Sequence, residues 1–159
     1  YVTMKERACH SLGIETEIKR LKKDTSTTEL QQIIKDLNDD QTVDGILLQH
    51  PVPKQIDEIK CFNTICIEKD VDGVTTEGFG NMAMGLNAFG SCTPLGIMRI
   101  LDHYKINLEG MNALVIGRSQ ILGKPMAAML LNANATVTIA HSKTKNLKNS
   151  LKEFDLVVL

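Results

Sequence analysis

Three groups of residues in this 159-residue chain have types and spacings that can do chemistry. The first is the run Val115-Ile116-Gly117-Arg118-Ser119-Gln120-Ile121-Leu122-Gly123-Lys124-Pro125. An apolar strand enters a glycine turn, and a helix begins a few residues later. That layout presents backbone N–H groups and a helix N-terminus to an anion, usually a dinucleotide phosphate. The spacing is G-R-S-x-x-x-G-x-P, not the common G-x-G-x-x-G. Gly117 and Gly123 permit close backbone approach, and Ser119 can donate to a phosphate oxygen. Arg118 offers a planar fork to an additional phosphate. The next apolar strand, Ala135–Ala140, ends in His141-Ser142-Lys143-Thr144, where a dinucleotide ribose would lie. No carboxylate follows until Glu153, a pattern that favours NADP over NAD. The competing reading is a glycine turn that only packs helix on strand.

The second group is Tyr1 and Lys5, which share a helix face at i, i+4. A lysine in a cleft can have its pKa lowered by desolvation and then act as acid or base. A tyrosine beside it can stack on a flat ring. From spacing alone, a surface pair is the stronger reading. The third group closes two polar loops. Gln49 ends an apolar strand, where ligands of α/β sheets gather, and an amide there binds without titrating. It can equally cap its own loop. Asp70 and Asp72 flank Val71, and a carboxylate can accept two N–H donors from a planar heterocycle. An Asx turn is the alternative, while calcium is rejected because no further oxygen ligands follow.

These residues sit in a soluble-protein composition with a net charge of −1, which gives no electrostatic case for nucleic acid or an anionic membrane. No apolar run reaches the roughly 18 residues of a membrane helix, and no stretch reads as a secretory signal. Cys9, Cys61, Cys66 and Cys92 form no C-x-x-C pair, and the four histidines are scattered. Reduced thiols, no metal and a cytoplasmic location are expected.

The elements that must position the groups follow from periodicity. Residues 1–12 read as a helix stopped by Gly13, and residues 14–18 alternate like a strand. Ser26-Thr27-Thr28-Glu29 is a capping box, opening a helix with Leu30, Ile33, Ile34 and Leu37 on its core face. Residues 43–49 form a short apolar strand ended by Pro51 and Pro53, and a short helix spans 56–63. Residues 68–73 are a loop. The stretch 74–91 is rich in Gly and Met without a clean period, and the domain junction is expected there. Thr93-Pro94 reads as an N-cap with proline at the first helical position. The remainder alternates: strand 112–117, helix 123–133, strand 135–140, helix 146–152, strand 155–159. The fold class is therefore α/β, with a parallel sheet of Rossmann-like type in the second half. Tyr1 falls inside a helical pattern and Leu159 inside a strand, so both ends read as cut.

Taken in order, Tyr1-Val2-x-x-Lys5, Gly45-Ile46-Leu47-Leu48-Gln49-x-Pro51-x-Pro53, Lys69-Asp70-Val71-Asp72-Gly73, Cys92-Thr93-Pro94 and Gly117-Arg118-Ser119-x-x-x-Gly123-x-Pro125 make a specific set. It resembles the bifunctional methylenetetrahydrofolate dehydrogenase/methenyltetrahydrofolate cyclohydrolase family over the whole chain. The resemblance implies a cleft enzyme with a folate-side α/β domain at 1–73 and a Rossmann-like NADP domain at 74–159, each incomplete at its outer end. It implies Lys5 as the central catalytic group, Gln49 as its partner, Asp72 on the pterin and Tyr1 stacked on the folate. Gly117, Arg118, Ser119 and Ser142 would contact NADP. The implied activity is oxidation of methylenetetrahydrofolate and hydrolysis of the methenyl product, in one-carbon metabolism and purine biosynthesis, by a homodimer. A truncated, non-catalytic nucleotide- or partner-binding relative and an NAD-dependent dehydrogenase are the alternatives. Three departures stand out: His50 replaces a usual Leu, Ser91 replaces a usual Pro, and Thr75-Thr76-Glu77-Gly78 replaces a usual His-Pro-x-Asn stretch.

Overall fold

The computed structural model describes residues 2–159. Helix α1 (Val2–Ser11) ends in two backbone bonds. Gly13 N–H reaches the His10 carbonyl at 3.1 Å, and Ile14 N–H reaches the Cys9 carbonyl at 3.0 Å. They close the last turn with Gly13 at φ 73°. Val2, Lys5, Glu6 and Cys9 are the half-buried residues of α1, at helical spacing, so Lys5 lies on its partly covered face.

Helix α2 (Thr27–Asp39) starts with the expected box: the Ser26 hydroxyl accepts from Glu29 N–H, and the Glu29 carboxylate accepts from Ser26 N–H. Leu30 and Ile34 are buried against Ile46, Cys61 and Ile65. Each such aliphatic side chain stabilises the fold by about 1.5–3 kcal/mol. Helix α3 (Glu58–Phe62), capped by Asp57, packs beside it.

The far end of α2 is closed by Lys69. Its ammonium donates to the carbonyls of Leu37 (2.9 Å), Asn38 (2.7 Å) and Asp40 (2.7 Å). A helix C-terminus leaves such carbonyls unpaired and carries partial negative charge, so one cation answers both. Lys69→Met is expected to destabilise the protein by about 2 kcal/mol, because a charged donor to several acceptors is lost. Urea unfolding would read this, and an unchanged midpoint would contradict the capping role.

The chain then passes through α4 (Thr76–Ala83) and α5 (Cys92–His103) into β1 (Asn112–Ile116), α6 (Gly123–Asn132), β2 (Thr136–Ala140), α7 (Leu147–Ser150) and β3 (Leu156–Val158). The strands form a parallel sheet in the order β2-β1-β3. Ala113 is level with Val137 of β2 on one side and Leu156 of β3 on the other. Ala113, Leu114 and Val115 are all buried, as befits the central strand of a parallel sheet. Met126, Met129 and Leu130 of α6 complete the core over it.

Several sequence expectations are corrected. Residues 14–18 form no strand: alternation supplies an apolar face but no partner, and Ile14 stays 53% exposed. Residues 43–49 reduce to a single parallel bridge between Ile46 and Asp70. The junction stretch contains α4, capped by the Thr75 hydroxyl on Gly78 N–H. Phe79 and Met82, one turn apart, pack it onto the second core, and Asn132 ties α6 to the Met82 carbonyl. Ser91 is the N-cap residue of α5, so Pro94 occupies the third helical position, where its missing N–H is still harmless.

Candidate active site

Lys5 projects from α1, and its Nζ donates to Gln49 Oε1 at 3.4 Å. Gln49 stands three residues after the Ile46 bridge, where the chain leaves the sheet-like segment. Its own Nε2 donates to the His50 carbonyl at 2.9 Å. Lysine can only donate, so the amide must turn its oxygen to Lys5 and its NH2 group to an acceptor. The helix face and the strand end that sequence spacing left ambiguous therefore meet. Tyr1 lies outside the described residues.

The Lys69–Gly73 run gives each residue a separate task. Lys69 closes α2, as described. Asp70 is 1% exposed and accepts from Val74 N–H (3.0 Å) and Thr75 N–H (2.9 Å), which fixes the approach to α4. The alternative reading of a carboxylate spent on its own loop thus applies to Asp70. Asp72 is half-buried and lies against the Cys92 thiol, which the Lys5 charge also reaches. Gly73, at φ 61°, is where two backbones touch: a Cβ there would lie 2.6 Å from Gly90 C and Ser91 N. No residue with a side chain fits both the dihedral and that approach. The Ser91 hydroxyl in turn donates to the Ile121 carbonyl, joining this contact to the turn after β1.

Cys92 had no assigned role in the sequence beyond its place in a motif. The residue keeps an exposed edge, but its sulfur turns back on the Val71 carbonyl at 3.6 Å. Burial first, then the hydrogen bond with Asp72 and the Asp72 charge, push its pKa up to about 11, against an opposing pull from Lys5. The signal available in sequence was position: Cys92 opens α5 directly after the residues that cross Gly73. At pH 8 its thiolate fraction is lowered about a hundredfold, and higher intrinsic nucleophilicity returns about tenfold. Iodoacetamide is therefore expected to alkylate Cys92 about tenfold more slowly than a free cysteine, and faster after Asp72→Asn. Mass spectrometry against time measures it; a rate equal to free cysteine would contradict the Asp72 contact.

The second set of residues surrounds an open groove of about 430 Å³ lined by Ile116, Gly117, Arg118, His141, Ser142 and Leu147. It lies beyond the carboxyl ends of β1 and β2, where the order of a parallel sheet places ligands. Gly117 takes φ 148°, and nothing stands within 4 Å of the position its Cβ would fill. A Cβ at Gly123 would run into the Gly117 carbonyl, so helix α6 abuts the turn directly. Ser119 sits beside the groove rather than in its lining. Its Oγ accepts from Leu122 N–H and Gly123 N–H, both at 3.2 Å, which leaves its own proton to donate. His141, not singled out beyond its place at the strand end, joins the lining; its Nδ1 accepts from Lys143 N–H at 3.1 Å. Backbone N–H groups, a guanidinium, hydroxyls and an apolar wall fit a phosphorylated dinucleotide.

Two family models match separate parts of the chain. A model of the tetrahydrofolate dehydrogenase/cyclohydrolase catalytic domain matches residues 1–72, and a model of the NAD(P)-binding domain of the same enzymes matches residues 91–159. The chain belongs to the tetrahydrofolate dehydrogenase/cyclohydrolase family. The bifunctional protein FolD of Acidobacterium capsulatum is 60% identical over 158 residues, covering 99% of this chain and 56% of that protein. The crystal structure of the bifunctional FolD of Campylobacter jejuni superposes with a TM-score of 0.96 at 43% identity, over 99% of this chain and 56% of that one. The Trypanosoma brucei FolD structure, complexed with NADP cofactor and inhibitor, gives a TM-score of 0.93 at 28% identity, over 99% and 55%. The chain thus spans about half the length of the family members it matches.

Proposed function

We propose that the protein to which this chain belongs oxidises 5,10-methylenetetrahydrofolate with NADP and hydrolyses the methenyl product to 10-formyltetrahydrofolate. The observation that carries the reading is the Lys5–Gln49 contact just beyond the Ile46 bridge, with Asp72 and Lys5 both acting on the Cys92 thiol. A bound NADP supplies the hydride acceptor for the first reaction. The C–H bond of the methylene bridge breaks with its electron pair, leaving a methenyl cation on the folate. The protein's part in that step is orientation of the two partners.

Hydrolysis uses the chain's own groups. Water adds to the cationic carbon, and a proton leaves the adding water. The bond from that carbon to one ring nitrogen then breaks, the nitrogen gains a proton, and the remaining hydroxyl proton is lost to solvent as the formyl C=O forms. Lys5 is the proton carrier, taking the first as amine and returning it as ammonium. Gln49 holds its Nζ without a charge that would fix it in one state. Asp72 accepts N–H donors of the pterin, and Tyr1 stacks on the folate. Gly117, Arg118, Ser119 and Ser142 hold the NADP phosphates, with Arg118 on the 2′-phosphate.

Residues 1–73 form the folate-side unit in this reading and 74–159 the nucleotide unit. The packing of α4 on α6 supports placing the boundary before α4. The enzyme works in one-carbon metabolism and purine biosynthesis in the cytoplasm, as a homodimer through the Rossmann-like units. No helix among the described residues is long and apolar enough to cross a membrane. The direct test is an absorbance assay of this chain with methylenetetrahydrofolate and NADP, beside Lys5→Ala. Turnover that depends on Lys5 supports the reading. Turnover that ignores Lys5 overturns the assigned mechanism.

A further inference from the structure

The residue that departs from the family pattern beside Gln49 is held by a partner of its own. His50 Nδ1 lies 2.6 Å from Glu58 Oε1, and the same oxygen accepts from Val52 N–H at 3.3 Å. One carboxylate oxygen thereby clasps the chain on both sides of Pro51. Glu58 opens α3, whose Cys61 and Phe62 are both buried, Cys61 within the first core, so the clasp is fixed to a packed element. The His50 side chain is 44% exposed, which makes its role polar contact rather than packing. The neighbouring Lys60–Asp57 pair is an exposed bridge within the α3 start and does not reach the clasp.

The consequence runs through the His50 carbonyl, the acceptor that holds the Gln49 amide. Lys5 selects the amide oxygen, and the His50 carbonyl holds the amide nitrogen on the opposite side, so the two contacts together fix the Gln49 side chain. We propose that Glu58, through His50, is a positioning residue that sets the orientation of Gln49 and thereby of the Lys5 ammonium. The proposal rests on the reading of Lys5 as the proton carrier for its effect on rate, though not for the structural coupling itself.

Two readouts test it on this chain. The first follows the Gln49 side-chain amide and Lys5 Cε signals by nuclear magnetic resonance without ligand. Glu58→Leu and His50→Leu should each displace both signals, and His50→Asn, which can donate to Glu58 in place of the ring, should restore most of the original positions. The second is methenyltetrahydrofolate hydrolysis, where Glu58→Leu should lower kcat about tenfold with little change in KM, as expected when a reacting group is misplaced rather than binding lost. If the unfolding midpoint falls while the Gln49 and Lys5 signals stay in place, the pair is only a brace and the proposal is overturned. The resonance readout needs no turnover. A Lys5→Met variant that hydrolyses normally would sink the catalytic reading alone, leaving the coupling to be judged on the signals.

Discussion

Replacing Lys5 by Met is expected to slow methenyltetrahydrofolate hydrolysis by about 10² to 10⁴, the range a positioned acid–base group supplies. Met keeps the length and apolar stem of the lysine and removes only the titrating head. Helix α1 contributes no fully buried residue, so the substitution leaves both cores untouched. The oxidation step should suffer far less. Hydride transfer requires no proton from the protein, whereas water addition and ring opening each move one. The two activities should therefore separate in the same variant. Loss of the methenyl absorbance under single-turnover conditions gives the rate directly, and circular dichroism checks the fold. A hydrolysis rate within twofold of the parent would remove Lys5 from the mechanism.

The second large effect is expected at Arg118. It is exposed at the mouth of the nucleotide groove, beside Gly117 and across from Ser142. A guanidinium that pairs with phosphate through two charge-assisted bonds contributes enough that its loss should weaken NADP binding by on the order of a hundredfold. NAD lacks the 2′-phosphate, so its affinity should hardly change, and the preference between the two cofactors should collapse by the same factor. Salt should weaken NADP binding to the parent more than to Arg118→Ala, since exposed charge pairs are screened. Calorimetric titration with each nucleotide measures both constants. Unchanged discrimination after Arg118→Ala would place the specificity elsewhere, with His141 and Ser142 the next candidates in the lining.

What the sequence disclosed, and what it withheld, follows from the range of the forces involved. The Ser26 box, the Gly13 stop and the alternation from β1 to β3 are local signals, and the structure contains them all. Residues 14–18 and 43–49 failed as strands because a ladder needs a partner, and a period of two does not name one. Helix α4 escaped notice because two of its eight residues, Gly78 and Gly80, are glycines, although Thr75 and the Phe79–Met82 pair were there to be read. At the site, the meeting of Lys5 with Gln49 was invisible to spacing, since 44 residues separate them. The two aspartates around Val71 looked equivalent on paper. Burial distinguishes them, committing Asp70 to its own backbone and leaving Asp72 half-buried beside the Cys92 thiol.

The crossing at Gly73 bears on how such a protein can change over time. There, main chain rests on main chain, with no side chain between residue 73 and residues 89–91 to act as a spacer. Substitutions at Phe89 or Ser91 alter what decorates the contact without altering its thickness. The separation of the two backbone segments is therefore inherited with the path of the main chain. Mutation can redecorate the surroundings of this contact while that separation is preserved. A side chain at residue 73 itself would wedge the two segments apart.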